Sequence, residues 1–521
     1  MLMKKHLLTS LFLASAFLVN AQTRNVELKS TITTLEPLKG IVFWPDLMAE
    51  NPELNSSISL EFSYCLPNKV VTGCQSNGTI NYDWTWFDNI LADVASRGHQ
   101  LIARFRYEYP SGTDAGGAKG STAVPQYIKD RDDYNETYSS NPGGDGPTYY
   151  ADWSNTELQR FTKQFYTDFA ARYANDKRLA FLEVGFGHWS EYHIYGTALN
   201  LGHNFPSKAY QKEFFQHMST VMTEIPWLMS IDAADDEYTP FVDDDDLMAL
   251  KFGLFDDSFM HEGHDIGSSD GYNEENWNAI GKGTRWQTGV CGGEISYYTD
   301  DDQHNFLNPA GMYGKTWEQA AAKYHMTFVI GNDALDGPYA TAERLKQAGN
   351  NAGYSFEITK YQVTSNTAVV TVKNNGVAPF YYDAYVTVKG VRSATSLKGL
   401  LPGESRECTV TGLTIGASEN PALTITSDKL YDGVTIPYAA NLEGGSVATS
   451  VDDNANVKLI EQRGSKLYFG GENFKVVIYS AATQKVASTS ENVFDLAALP
   501  AGVYVVRYVG DNGSAVQKVV R

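Results

Sequence analysis

The segment RLAFLEVGFGHWSEYH, residues 178–193, limits the possible folds more than any other part of the chain. Its first half is an almost unbroken apolar run, the pattern of a parallel strand covered on both faces. By the two-residue period of a strand, Leu182, Val184 and Phe186 share one face and read as core, while Glu183 falls on the other. Gly185 and Gly187 leave room for a close approach, and Trp189, Glu191 and His193 follow at the carboxyl end. A second segment of this type, RWQTGVCGGEISYY at 285–298, presents Glu294 in the same way. Parallel strands need crossover connections, so both segments require strands alternating with helices around them.

That alternation runs from residue 24 to about 350. Strands are predicted at 40–44, 57–64, 100–110, 178–186, 228–236, 251–257, around Glu294, and at 326–333. Helices between them are marked by Trp84, Phe87, Leu91 and Val94, by Leu158, Phe161, Phe165 and Phe169, and by Phe214, Met218, Val221 and Ile225. A capping box from Thr316 to Gln319 opens another. Eight strands in this order predict an α/β fold, a (β/α)8 TIM barrel, whose carboxyl rim carries the chemistry. From Tyr354 the rhythm changes to short alternating strands with turn signals, including Asn375 and Gly376 as a hairpin. The predicted organisation is therefore a signal peptide at 1–21, the barrel as catalytic domain at 22–352, a β-sandwich at 353–442, a polar linker at 443–457 and a small C-terminal all-β domain at 458–521.

Charge and composition narrow the function. A formal net charge of -21 opposes binding to nucleic acid phosphates and to anionic membranes. Lys4 and Lys5, an apolar run from Leu7 to Val19 and a small-residue site at Ala21 form a signal peptide, so the protein is expected to be secreted or at the cell surface. No later run is long enough to insert in a membrane. Of four cysteines, Cys65 and Cys74 are expected to close a short disulfide, and Cys291 to be a buried structural thiol. Their spacing matches no zinc pattern, and the acidic runs at 243–246 and 300–302 read as exposed charge. Neither a metal nor an organic cofactor is expected.

Two glutamates at strand ends point to glycoside hydrolysis, which needs one carboxyl to protonate the leaving oxygen and a second as nucleophile or base. Glu191 and Glu294 take those roles, with Trp189 desolvating Glu191 and Glu294 staying ionised. Arg106, Tyr107, Trp189, His193, His261 and Tyr297 are expected to contact substrate, while Arg104 and Glu183 face the barrel interior as a structural pair. Asp256, Asp257, His261, Glu262 and His264, after the sixth strand, offer groups for sugar hydroxyls or a metal, but their spacing fits no zinc signature and a solvated loop is the preferred reading. The competing function is a surface protein that binds carbohydrate without cleaving it.

Three resemblances attach to these residues. GHWSEYH, GGEISYY and the phrase GLLPGES at 399–405 resemble an uncharacterised secreted family, the domain of unknown function numbered 4832, regarded as a glycosidase relative. The strand order resembles the large clan of retaining glycosidases, whose acid follows strand four and whose nucleophile follows strand seven, which implies retention with Glu191 and Glu294 in those places. Ser190 stands where that clan carries Asn. Locally, LEVGFGHWSE is similar to the β-amylase strand bearing the catalytic acid, again at Glu191, and β-amylases invert. VVIYS, LAALPAGVYVVRY and the closing QKVVR resemble the C-terminal sorting domain of the type IX secretion system, which implies contact with that secretion machinery.

Deleting residues 456–521 is accordingly expected to block surface delivery while the purified remainder keeps its activity. Cell fractionation checks this, and equal delivery of both forms contradicts it.

Overall fold

The computed structural model describes residues 23–265, 273–446, 459–481, 484–511 and 513–521. The predicted signal peptide, and the predicted linker from residue 447 onward, lie outside the described residues. Eight parallel strands close into a barrel: β1 (Gly40–Phe43), β2 (Leu60–Cys65), β3 (Gln100–Phe105), β4 (Leu179–Glu183), β5 (Trp227–Ser230), β6 (Gly253–Phe259), β7 (Cys291–Ile295) and β8 (Phe328–Ile330). The last strand pairs with the first, Val329 opposite Ile41, so no sheet edge is left open.

Strand parity sorts the side chains as the sequence implied. Leu182, Val184 and Phe186 join the core between barrel and helices, together with Leu101, Ala103 and Phe105. Ile102, Phe181, Phe255 and Phe328 point inward instead. The helix Thr156–Tyr173 lays Leu158, Phe161, Phe165 and Phe169 on the barrel, and the Asn155 side chain caps its first turn by accepting from Glu157 N and Leu158 N. The Thr316–Gln319 capping box forms as predicted. Asp244 of one acidic run caps the helix Asp245–Met248, and the other run opens the helix Asp300–Asn305, so both are spent on helix N-termini.

The sandwich closes the amino-terminal end of the barrel, and the two share one core. Phe181 stacks on Phe328 inside the barrel and on Tyr382 of the sandwich, with centroids 5.9 and 6.2 Å apart, and the Tyr382 hydroxyl donates to Ala180 O. Barrel and sandwich form one compact unit ending at Gly445. The barrel boundary at residue 22 is corrected: Arg24–Asn25 pairs with Phe356–Val363 and Leu28–Lys29 with Ala439–Leu442, so the first strands belong to the sandwich. Asn375 and Gly376 do not turn a hairpin either. The strand before them, Thr367–Asn374, pairs with Phe356–Val363 and Ser405–Thr411, whereas the next, Tyr385–Val388, lies in the opposite sheet. Asn375 N donates to Ser355 O, which carries the chain away from its own strand.

The second unit, described from residue 459, has a three-stranded and a four-stranded antiparallel sheet around Leu467, Val476, Ile478, Leu496, Val506 and Tyr508. Among the described residues no helix is long and apolar enough to cross a membrane.

The expected disulfide is absent: Cys65 and Cys74 are both free. Cys65 ends β2 with its thiol buried and directed to Ser63 O at 3.6 Å. Cys74 lies in the hairpin beyond the helix Pro67–Val70, against Arg160 Nη2 at 3.7 Å. That helix turns the intervening chain so that short sequence separation does not bring the two sulfurs together. Both thiols are expected to alkylate in the unfolded, unreduced protein. Mass spectrometry that finds them refractory would contradict this.

Candidate active site

A cleft of about 990 Å³ opens on the carboxyl rim of the barrel, and both Glu191 and Glu294 line it. Beneath its floor lies Arg104 of β3, fully buried and in contact with three carboxylates. Its Nε and Nη2 meet Glu183 Oε2 at 2.7 and 2.5 Å, while Nη1 meets Asp257 Oδ2 at 2.6 Å and Glu191 Oε1 at 3.1 Å. The guanidinium plane sits over the Phe255 ring, 4.1 Å from its centroid. The expected pair of Arg104 and Glu183 is therefore present, but as part of a larger cluster that reaches the cleft.

One cation for so many carboxyls sets their proton affinities. Burial raises the Glu191 pKa well above the usual range; the Asp257 charge adds to this and Arg104 opposes it. Glu294 is pushed up too, first by burial and then by Asp257, which runs against the expectation that it stays ionised. Glu183 rises to about 7, again mainly through burial. Arg104 stays charged, because Asp257, Glu183 and Glu191 together overcome the desolvation that opposes it.

The loop that delivers Glu191 is strained. Trp189, Ser190 and Tyr192 have φ of 52°, 67° and 69°, a left-handed conformation that costs non-glycine residues of order 1 kcal/mol or more each. Surrounding bonds hold it. Ser190 Oγ donates to Phe105 O at 3.0 Å, Tyr192 Oη to Val184 O at 3.2 Å, and Trp189 N to Glu108 O at 3.3 Å. The two glycines are explained by this loop rather than by substrate: a Cβ on Gly185 would lie 1.7 Å from Ser190 O, and one on Gly187 would lie 2.4 Å from His193 O.

The other predicted site residues divide by where they point. Trp189, His193 and Tyr297 line the cleft. His193 Nδ1 lies 2.9 Å from Asp232 Oδ2, and Tyr297 Oη donates to Glu294 Oε1 at 3.3 Å. Arg106 does not reach the cleft. It is buried against Tyr64 and Tyr109, 5.0 and 4.3 Å from their centroids, ion-paired to Asp114, and supports those two cleft aromatics from behind. Tyr107 is corrected: it shares the face of Phe105, packs on Trp153 and bonds Thr162 Oγ1 at 2.8 Å among the helices. The strand period that placed Arg104 and Arg106 inward already turns Tyr107 away. His261 is buried one layer back, 3.0 Å from Asn273 Oδ1 and packed on Tyr298; those two partners line the cleft in its place.

Asp257, ranked as solvated loop above its reading as a sugar-binding group, instead lines the cleft and pairs with Arg104, as its inward parity with Phe255 on β6 allows. Asp256, also read as solvated loop, is held by His264 Nε2 at 2.8 Å, and this contact and Asp265 keep His264 charged, with a pKa raised to about 9 despite its burial. Trp44, Tyr64 and Tyr109 were not singled out. With Trp189 they form a continuous edge-to-face aromatic wall at centroid spacings of 5.4, 5.7 and 6.1 Å.

No family model matches the chain, and no curated protein matches it. Among solved structures it is similar to the lactosyl-enzyme intermediate of endo-glycoceramidase II from Rhodococcus sp. at 12% identity, covering 74% of this chain and 100% of that one, TM-score 0.39. It is also similar to the catalytic domain of β-amylase from Paenibacillus polymyxa at 12% identity, covering 61% and 98%, TM-score 0.36. At that level of likeness nothing passes from those proteins to this chain, and the site stands on its own geometry.

Behind the loop, Glu108 is buried with no cation paired to it among the described residues, and burial raises its pKa from 4.5 to about 8. The unfolded chain gives up this proton first, so the folded state holds more protons between pH 4.5 and 8 and stability falls as pH rises across that window. The Glu108→Gln variant is expected to lose less stability over the same range, by on the order of 3 kcal/mol. Denaturant titrations of both proteins at several pH values check this, and parallel curves would refute it.

Proposed function

We propose that the protein is an exported glycoside hydrolase in which Glu191 is the general acid and Glu294 the nucleophile. One observation carries this reading: two carboxyls, from the loop after β4 and from β7, line a single cleft, and Glu191 shares the buried Arg104 guanidinium with Asp257, where burial favours its protonated form. A protonated carboxyl is what a leaving glycosidic oxygen needs. In the first step Glu191 transfers its proton to that oxygen as the anomeric C–O bond breaks, and a Glu294 oxygen bonds to the anomeric carbon. In the second, Glu191 takes a proton from water as its oxygen displaces Glu294, and the sugar leaves with its configuration retained.

The surplus of carboxyls suits this chemistry. The transition state carries positive charge on the sugar ring, and that charge is the counter-ion the Arg104 cluster lacks, so it favours ionised Glu294 when reaction demands it. The aromatic wall from Trp44 to Trp189 supplies apolar faces on which sugar rings stack. In the same reading the signal peptide exports the chain and residues 458–521 address it to the secretion machinery.

Glu191→Gln and Glu294→Gln are each expected to lower kcat by about 10²–10⁴-fold on a cleaved glycan, with little change in the thermal unfolding midpoint. Proton NMR of the first product released is expected to show the substrate's own anomeric configuration. Wild-type rates in either variant would overturn the assignment, and inverted product would reassign Glu294 from nucleophile to base.

A further inference from the structure

We propose that the substrate of this cleft is an amino sugar with a free, protonated amine. The proposal rests on the glycosidase reading and names its substrate class. Seven carboxylates line the cleft, and no lysine or arginine among the described residues does. Carboxylates also bind neutral hydroxyls, so their number alone does not settle the charge of the ligand; their pairing does. Asp256 is matched by His264 and Asp232 hydrogen-bonds His193, while Asp257 and Glu191 share Arg104 with Glu183. Among the described residues, Asp145 and Asp235, both exposed, and the half-buried Glu294 form no ion pair, although all three line the same cleft. Asp257 adds an independent sign. Its side chain is 8% exposed, yet its Oδ1 receives no hydrogen bond from any amide, guanidinium or alcohol group among the described residues.

Of these three, Glu294 is withdrawn from solvent, and a half-buried carboxylate without a cation is costly to keep charged. Here burial and neighbouring negative charge push Glu294 up, away from the ionised form that a nucleophile requires. An ammonium group on the substrate supplies the missing charge and donates hydrogen bonds to carboxylates that no lysine or arginine pairs, which draws Glu294 back toward ionisation. The same lining repels uronic and sulfated sugars, and the chain's overall charge of -21 extends that preference to the approach of a polymer. The stacking faces of Trp44, Tyr64, Tyr109 and Trp189 favour a cation carried on a ring with an apolar C–H face over one on a flexible chain.

The test uses the full chain and hexosamine oligomers in α and β linkages, each as the free amine and as its N-acetylated twin, with neutral hexose oligomers beside them. The expected result is cleavage of a free-amine oligomer with kcat/KM at least about tenfold above its acetylated twin, and a smaller ratio in Asp235→Asn. Calorimetric binding to Glu191→Gln is expected to show the same preference. Cleavage of acetylated or neutral oligomers equally well, dependent on Glu191 and Glu294, overturns the amino-sugar proposal and leaves the hydrolase reading intact. Selective binding of free-amine oligomers with no cleavage of any glycan overturns the hydrolase reading and keeps the ligand class. Neither binding nor cleavage of free-amine oligomers overturns the proposal.

Discussion

Arg104 lies wholly out of solvent at the barrel's carboxyl end, and the arrangement of the site depends on that buried charge. Desolvating a guanidinium is expensive, and the cost is offset only because Glu183, Asp257 and Glu191 converge on it from β4, β6 and the loop after β4. Each of those carboxyls is thereby fixed in place. Removing one partner from such a cluster costs about 3–5 kcal/mol, whereas exposed pairs such as Lys29 with Glu443 contribute about 1 kcal/mol or less. The cluster is therefore weak evidence for stability but strong evidence for position, since few geometries satisfy all four groups together.

The strained loop from Gly187 to Tyr192 is the second consequence. Glu191 reaches Arg104 only because the backbone folds back over β4 through several left-handed residues. Glycines at 185 and 187 admit that return, and the Ser190, Tyr192 and Trp189 bonds hold it. Strain held by surrounding structure at a cleft is a common mark of a functional segment, because a relaxed loop would leave the carboxyl in solvent. The sandwich takes part indirectly. By filling the amino-terminal end of the barrel with Tyr382 against Phe181, it closes the core and confines solvent access to the opposite rim.

Much of the fold was legible in the sequence. Apolar runs separated by helical periodicity gave all eight barrel strands in order, and parity put Leu182, Val184 and Phe186 toward the helices, with Arg104 and Glu183 inside. Where the reading failed, the missing information was non-local. The first strands joined the sandwich through pairings more than 300 residues away, which no local pattern encodes. Cys65 and Cys74 were close in sequence, but a four-residue helix between them set their directions. Asn375 and Gly376 have turn chemistry, yet which strand follows a turn is decided by sheet assignment.

The sequence by itself determined that strand ends bearing Glu191 and Glu294 meet at one rim, because a closed parallel barrel leaves them nowhere else. It also determined an acidic, aromatic-rich chain. Only the tertiary structure decided that Asp257 and Arg104 stand beside those glutamates, that Tyr107 and His261 do not line the cleft, and that Glu294 is held up as well as Glu191. Proton affinity is a sum over neighbours brought from distant strands in a medium of low polarity, and residue order fixes none of those distances.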